Sequence, residues 1–208
     1  MNDNCVSLSC EYSDTSPTWA NAYLWPVLKD ILRQHAFSHR RAFDLGCGSG
    51  ATANMLSDLG FDVTGVDISE TGITLGRQSF PHLKLRVGNV YDDLVETYGQ
   101  FPLVVSLEVI EHCYDPRRFA KTFYGLIAAG GVGVLSTPDH GYLKNLALAV
   151  TGKWDKHLTV LWPGGHIKFF SIATLRALLL ETGFNDIRFI RVGRFSPFAK
   201  SMIAIVCK

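Results

Sequence analysis

Short apolar runs alternate along this chain with longer segments in which apolar residues recur every three or four positions. The short runs are typical of buried strands, and the longer segments are typical of amphipathic helices. Strands are predicted at 41–45, 61–66, 83–87, 103–107, 132–136, 184–192 and 202–207. Helices are predicted at 19–37, 52–59, 69–79, 116–127, 141–150 and 171–182. Pro26 falls inside the first helical pattern and is expected to kink or break that helix.

This alternation predicts an α/β fold: a Rossmann-like, doubly wound sheet of seven strands, mostly parallel, with an antiparallel last strand. We expect the whole chain, residues 1–208, to form a single domain. Ligands of such sheets bind at the carboxyl ends of the strands. That edge is therefore expected to carry residues 44–50, 67, 88–90, 107–112 and 137.

Composition and net charge limit which kinds of protein and of binding partner the sequence is compatible with. Hydrophobic residues make up 47% of the 208 positions and charged residues 19%, which excludes a disordered chain. A formal net charge of +1 argues against nucleic acid as the partner and favours a small molecule. The amino terminus is polar and unlike a signal peptide, and no apolar run is long enough to span a membrane. Five scattered cysteines are expected to be reduced thiols, so we predict a cytoplasmic protein.

A glycine loop, Gly46–Gly50, follows the first predicted strand, with Asp44 two residues before it. Such a loop alone is a weak signal, because a structural turn uses the same residues. Asp67 ends the second predicted strand, where a carboxylate can accept both hydroxyls of a ribose. A dinucleotide fingerprint, GxGxxG, tolerates Ala51 at its sixth position, but Asp44 would be poorly placed beside a pyrophosphate. A carboxylate there suits a cationic ligand, which favours S-adenosylmethionine (SAM).

Five segments that include this loop occur in order along the chain. They read FDLGCGSGATA, VTGVDIS, VGNVYDDL, VVSLEVIEH and AAGGVGVLSTP. With them the chain resembles class I SAM-dependent methyltransferases, in particular the branch that includes the ubiquinone-biosynthesis O-methyltransferases. The resemblance covers about residues 40 to 185 and implies a Rossmann-like fold, SAM as cofactor and methyl transfer as the activity.

The resemblance also implies a set of cofactor-binding residues. The set is Asp44, Gly46, Cys47, Gly48, Asp67, Ile68, Asn89, Val90 and Leu107. The glycines would line the methionine part, Asp44 would orient the loop, and Asp67 would hold the ribose hydroxyls. Ile68 and Val90 would face the adenine. Asn89 stands where the family usually has Asp, and its amide oxygen still accepts a hydrogen bond from the adenine amino group.

A Glu-x-x-Glu-His motif, Glu108 to His112, follows the fourth predicted strand. Glu108 and Glu111 would share one face of a helical turn. With His112, and with His166 from a later segment, they could bind a divalent ion such as Mg²⁺, Mn²⁺ or Zn²⁺. The resemblance supports a metal in part, because some ubiquinone-pathway and RNA 3′-end methyltransferases carry this motif as metal ligands.

Three interpretations of this motif stay open. A metal could activate an acceptor hydroxyl, His112 could act as a general base oriented by Glu108 or Glu111, or the motif could only shape the pocket. In the first two, Glu108, Glu111 and His112 are catalytic residues. The metal set would be the same three residues with His166.

Two segments outside the motifs are candidates for enclosing the acceptor. Residues 17–37 are predicted to form an N-terminal helical lid, although such a helix often only docks on the sheet. Residues 138–170 form an insertion with several aromatic side chains, Trp162 among them. This insertion either caps a small-molecule pocket or packs as a satellite core.

The predicted function is methyl transfer from SAM to a small-molecule acceptor, with a hydroxyl favoured over nitrogen or carbon. Two alternatives remain. A metal-dependent RNA 3′-end methyltransferase shares the metal motif, and a non-catalytic SAM-fold binding protein would share the fold. The oligomeric state is not predicted.

Overall fold

The computed structural model describes residues 11–37, 39–158, 161 and 164–208. Cys5, Cys10 and Trp162, which entered the sequence predictions, lie outside the described residues. The cysteines within the described ranges, Cys47, Cys113 and Cys207, form no disulfide there.

Seven strands form one mixed sheet. They are β1 (Arg41–Leu45), β2 (Asp62–Asp67), β3 (Lys84–Val87), β4 (Phe101–Leu107), β5 (Ile127–Pro138), β6 (Asp186–Val192) and β7 (Ser201–Cys207). Their order across the sheet is β3-β2-β1-β4-β5-β7-β6. Strands β1 to β5 pair in parallel, whereas β7 is antiparallel to both β5 and β6. The predicted fold class is therefore confirmed.

Eight α-helices and one 3₁₀ turn occur within the described ranges. They are α1 (Asn21–Arg33), α2 (Ala51–Asp58), α3 (Glu70–Ser79), α4 (Leu94–Tyr98), the 3₁₀ turn Ile110–His112, α5 (Pro116–Leu126), α6 (Tyr142–Val150), α7 (Trp154–Leu158) and α8 (Ile172–Thr182). The sequence did not predict α4, α7 or the 3₁₀ turn, because each is too short to show a helical period. None of the described helices combines the length and the apolar character needed to cross a membrane.

Two hydrophobic layers cover the two faces of the sheet. One contains the buried faces of α1, α2 and α3, with Leu28, Leu56 and Ile73 among its fully buried residues. The other contains those of α5 and α8, with Phe123 and Leu179. Because both faces are covered, successive residues of the central strands β1 and β4 are buried instead of alternating between buried and exposed.

Two predicted boundaries were wrong because contacts between distant parts of the chain decide them. The first helix is shorter than 19–37, yet it continues through Pro26, since its buried face still packs on the sheet. Strand β5 begins at Ile127 rather than at 132, and the glycines that suggested a turn lie inside it. There the Gly130 N–H donates to the Lys208 carbonyl at 2.7 Å, while the Gly131 carbonyl accepts from the Lys208 N–H at 3.1 Å.

The strand register brings the functional segments together. In the β1–β4 pair Asp44 lies opposite Val105, and in the β4–β5 pair Leu107 lies opposite Ser136. The loops that follow β1, β4 and β5 therefore leave the sheet at the same edge, where a ligand is expected in this kind of fold.

Adjacent leucines in α8 provide a test of the packing on the second face. Leu179 is fully buried, whereas Leu180 is 49% exposed. Leu179→Ala is expected to lower the free energy of unfolding by about 2–5 kcal/mol, because it leaves a cavity in the core. Leu180→Ala is expected to change it by less than about 0.5 kcal/mol. Denaturant unfolding of both variants measures the difference, and equal effects would contradict the assigned orientation of α8.

Candidate active site

The glycine loop after β1 has no room for side chains at two positions. Gly46 and Gly48 have φ values of 81° and 54°, in the left-handed region that favours glycine. A Cβ atom at Gly46 would lie 2.6 Å from a methyl group of Val109, and one at Gly48 would lie 2.5 Å from the Tyr12 hydroxyl. The backbone conformation and the contacts with Val109 and Tyr12 therefore both require glycine at these two positions.

A cavity of about 920 Å³ opens at this edge of the sheet. Eight of the nine predicted cofactor residues line it: Gly46, Cys47, Gly48, Asp67, Ile68, Asn89, Val90 and Leu107. Of the four residues predicted as metal ligands, Glu108, His112 and His166 also line the cavity. Asp44 and Glu111 are buried, with 2% and 0% of their surface exposed, and do not belong to the cavity wall.

Asp67, at the end of β2, holds the glycine loop. Its Oδ2 accepts from the Gly48 N–H and its Oδ1 from the Ser69 N–H, both at 2.8 Å. Burial raises the pKa of Asp67, and these two N–H groups oppose the shift. The carboxylate thus already fixes the turn beside which a ribose would lie.

Asp44 lies behind the glycine loop, in surroundings that disfavour the ionised form of its carboxyl group. Burial, followed by the negative charge of Asp67, raises its pKa to about 7. Among the described residues, its Oδ2 has no hydrogen-bond partner. A positive charge nearby would stabilise the ionised form of this carboxyl group.

The predicted adenine end of the cavity is formed by two short segments after β2 and β3. The Ile68 side chain is 44% exposed and offers an apolar surface to the cavity. The Asn89 amide oxygen accepts from the Tyr91 N–H at 3.0 Å, and the Asn89 N–H donates to Asp92 at 2.7 Å. The side chain of Asn89 therefore caps its own turn, while its oxygen keeps a second lone pair.

Glu108 follows β4 and is held by two serines. Its Oε1 accepts from the Ser136 hydroxyl at 2.7 Å, and its Oε2 accepts from the Ser201 hydroxyl at 3.0 Å. Burial raises the pKa of Glu108 to about 6, while the two hydroxyls and the charge of Lys144 oppose the shift. Both oxygens of this buried carboxyl group are therefore hydrogen-bonded.

Glu111, His112 and His166 form a separate group. Their candidate ligand atoms all lie within 4.8 Å of one another, and Glu108 is outside this group. Within the described part of the chain, neither carboxylate oxygen of Glu111 has a hydrogen-bond partner. Burial and the charge of Glu108 raise the pKa of Glu111 well above its usual value. Thr137 lies close enough to oppose that shift, although its hydroxyl makes no hydrogen bond of good geometry.

Hydrogen bonds to the backbone hold the segment around His166 beside Glu111 and His112, although it lies more than 50 residues later in the sequence. The Glu111 carbonyl accepts from the Ile167 and Lys168 N–H groups at 2.9 and 3.0 Å. His112 Nδ1 lies 2.6 Å from the Gly164 carbonyl, and the rings of His112 and His166 meet edge to face at 4.9 Å. Because a carbonyl only accepts, Nδ1 of His112 is the donor in this contact, and in the neutral ring the lone pair would lie on Nε2.

The electrostatic surroundings keep His166 neutral. Burial lowers its pKa to about 4, and the charge of His112 acts in the same direction. A neutral imidazole is the form that ligates a metal or accepts a proton. With the buried carboxylate of Glu111, these two histidines offer a donor set of two nitrogens and one oxygen.

Some residues of the site carry no signal in the sequence. Six residues of segment 11–18 line the cavity, namely Glu11, Tyr12, Ser13, Asp14, Ser16 and Thr18. Ser136 and Ser201 belong to β5 and β7, which are distant in sequence. The parallel pairing of β4 with β5, in which Leu107 lies opposite Ser136, brings the first serine to Glu108. The antiparallel pairing of β5 with β7, in which Pro138 lies opposite Ser201, brings the second.

Comparison with known proteins gives the family. A family model described as methyltransferase domain matches residues 21–188. A ubiquinone biosynthesis O-methyltransferase of Caulobacter sp. strain K31 is 36% identical over 149 residues, which cover 69% of this chain and 58% of that relative. This chain therefore spans little more than half the length of that relative.

Solved structures share the fold at low sequence identity. Magnesium protoporphyrin IX methyltransferase from Synechocystis, crystallised with bound S-adenosylhomocysteine (SAH), superposes with a TM-score of 0.68 at 19% identity over 88% of this chain and 80% of that one. A protein from Pyrococcus horikoshii superposes with a TM-score of 0.70 at 17% identity over 94% of each chain. Because the family model matches most of the chain, the chain belongs to the methyltransferase-domain family, in the class I SAM-dependent branch that includes the ubiquinone-biosynthesis O-methyltransferases.

Proposed function

We propose that this protein transfers the methyl group of SAM to a hydroxyl of a small-molecule acceptor. The observation that carries the proposal is that one cavity joins two clusters. The glycine loop and Asp67 line this cavity, and so do His112 and His166. A cofactor at the first end would direct its reactive group toward the second.

The first end fits SAM in shape and charge. Gly46 and Gly48 line the cavity with backbone that carries no side chain, and the carboxylate of Asp67 would accept ribose hydroxyls. Ile68 and Val90 would pack against the adenine. Asp44, behind the loop, supplies negative charge toward a cationic ligand.

Bound SAM supplies an electrophilic methyl group on a positively charged sulfur. The protein's contribution is to bring the acceptor oxygen into line with that methyl group and to exclude water. Segment 11–18 and the insertion 138–170 both border the cavity, the latter through Leu158, His166 and Phe169. We therefore propose that the N-terminal segment encloses the cofactor and that the insertion encloses the acceptor.

Methylation of a hydroxyl releases a proton, and the second cluster provides a group to take it. His112 has its lone pair on Nε2 and lines the cavity. A neutral histidine within reach of the acceptor oxygen acts as a general base near pH 7. His112 can perform this role only when that lone pair does not bind a metal ion.

The same cluster fits a divalent metal ion. Glu111, His112 and His166 would hold it, since the buried Glu111 carboxylate lacks a partner among the described residues and His112 is oriented through Nδ1. Two imidazoles and one carboxylate favour Mn²⁺ or Zn²⁺ over Mg²⁺. Such an ion would lower the pKa of an acceptor hydroxyl.

Turnover with a panel of acceptors tests the proposed reaction. Purified protein is expected to convert SAM to SAH with a phenol or a catechol and not with an amine of similar size. SAM binding without turnover on any acceptor would favour the non-catalytic alternative. Salt-sensitive methylation of RNA ends would favour the RNA 3′-end alternative.

Asp67 and Asp62, at the two ends of β2, give a matched pair for the cofactor assignment. Asp67→Ala is expected to weaken SAH binding about tenfold or more, because hydrogen bonds to a charged group contribute roughly 1.5–3 kcal/mol. Asp62, paired with Lys84 at 2.7 Å on the surface, serves as the control, and its replacement by Ala should leave binding unchanged. Isothermal titration measures both affinities, and an unchanged affinity for Asp67→Ala would contradict the ribose assignment.

Metal binding is tested with Mn²⁺ and two glutamate variants. Glu111→Gln is expected to weaken Mn²⁺ binding about tenfold or more, because it removes a charged ligand, whereas Glu108→Gln should change it less than about threefold. Calorimetry with Mn²⁺ measures both. Turnover should fall on adding a chelator and return with Mn²⁺, and turnover indifferent to the chelator would leave only the general-base or architectural interpretations.

A further inference from the structure

Helix α6 exposes its apolar side chains instead of burying them. All of its nine residues except Lys144 and Asn145 are aliphatic or aromatic. The structure describes all nine, and none of them is buried, whereas α5 and α8, of similar length, bury leucine or phenylalanine side chains. The most exposed apolar side chains recur every three or four residues and form one face of the helix, made of Tyr142, Leu143, Leu146 and Val150.

Exposed aromatic residues lie in a second segment beside the start of α6. The Lys144 ammonium group donates to the Lys200 carbonyl at 3.3 Å, which ties α6 to the loop between β6 and β7. That loop, residues 193–200, carries Phe195, which is 74% exposed, and Phe198, and their rings meet at 5.8 Å. We call the two sets together the α6 surface, which consists of Tyr142, Leu143, Leu146, Val150, Phe195 and Phe198.

Positive charge is concentrated in the segments that carry this surface. Residues 141–158 and 193–200 contain five Lys or Arg residues and one acidic residue, Asp155, so their formal charge is +4. The whole chain has a formal charge of +1, so all its other residues together carry −3. Lys153 and Arg194 belong to the basic set and are exposed. The α6 surface is therefore both apolar and surrounded by cations.

An anionic lipid bilayer is the occupant that uses both properties. Aliphatic and aromatic side chains insert between lipid headgroups, while lysine and arginine side chains bind the phosphates around them. A nucleic acid would use the basic side chains but would leave Leu146 and Val150 in water. A second copy of this chain, docked through the same surface, would bring like charges together.

The α6 surface is close to the cavity. The Asn145 amide group, on α6, donates to the His140 carbonyl at 3.2 Å, and the rings of His140 and Phe169 meet at 5.0 Å. Phe169 is 47% exposed and lines the cavity. A bilayer bound to α6 would therefore lie near the cavity.

We propose that the α6 surface docks this protein on anionic phospholipid bilayers. The apolar face of α6 enters the headgroup region, and Lys153 and Arg194 bind the negatively charged headgroups. Docking needs neither SAM nor methyl transfer, so the inference goes beyond the proposed function and can be tested apart from it.

Vesicle binding tests the docking itself. The full chain is expected to cosediment with vesicles made of equal parts of phosphatidylglycerol and phosphatidylcholine. Its affinity for vesicles of phosphatidylcholine alone is expected to be about tenfold lower or less, because these lack the net negative charge. Added salt should weaken binding to the anionic vesicles, since it screens that attraction.

Two leucines of similar exposure test the apolar face. Leu146→Asn removes an apolar side chain from the α6 surface without changing the charge, and is expected to weaken binding to the anionic vesicles about tenfold. Leu180→Asn on α8 is the matched control, because Leu180 is 49% exposed and Leu146 is 46% exposed. The control should leave vesicle binding unchanged, and thermal unfolding checks that both variants are folded.

Two exposed lysines test the charge in the same way. Lys153→Gln is expected to weaken binding to the anionic vesicles about fivefold, as one basic side chain near such a surface contributes. Lys121→Gln, on α5, removes an exposed lysine from another part of the molecule and should have no effect.

Several results would overturn the proposal. Absence of binding to the anionic vesicles would do so, as would equal effects of Leu146→Asn and Leu180→Asn. Binding to RNA without binding to vesicles would assign the charge to a nucleic acid instead. A dimer in analytical ultracentrifugation that Leu146→Asn dissociates would assign the α6 surface to a second copy. Because the vesicle assay contains no SAM, each of these results leaves the proposed function intact.

Discussion

The parallel pairing of β1, β4 and β5 is the constraint on which the whole site depends. This register places Asp44 opposite Val105 and Leu107 opposite Ser136. The glycine loop, the Glu108 turn and the start of the insertion therefore leave the sheet at one edge. Two helical layers cover the faces of the sheet, and a slip of one residue would turn buried side chains to the wrong face.

Buried negative charge is the second organising feature. Asp44, Asp67, Glu108 and Glu111 all have a pKa raised chiefly by burial. Burying a carboxylate is unfavourable unless hydrogen bonds or a cation compensate for the lost water. Backbone N–H groups do so for Asp67 and hydroxyl groups do so for Glu108. A cationic cofactor would compensate for the buried charge of Asp44, and a divalent ion would compensate for that of Glu111. The proposed SAM site and the proposed metal site therefore both depend on buried negative charge.

Sequence reasoning was correct for features that a short segment of the chain decides by itself. The loop at Gly46 and Gly48 needs glycine, and motif and spacing correctly predicted that this loop and Asp67 lie at one cavity. It failed where a long-range contact decided the outcome. Gly130 lies inside β5 because that strand pairs with the last residue of the chain, and Pro26 remains inside α1 because the helix is held by its buried face.

The sequence by itself determined the fold class, the family and the residues of the glycine loop, because local pattern and short motifs encode them. Only the tertiary structure decided which glutamate of the Glu-x-x-Glu-His motif lies beside the two histidines. Its two glutamates have the same chemistry, and their positions, four residues and one residue before His112, do not show which of them meets the histidines in space. The pairing of β5 with β4 and with β7 brings serine hydroxyls to Glu108, while Glu111 is buried beside two histidines. Partners that are distant in sequence therefore assign different roles to chemically identical side chains.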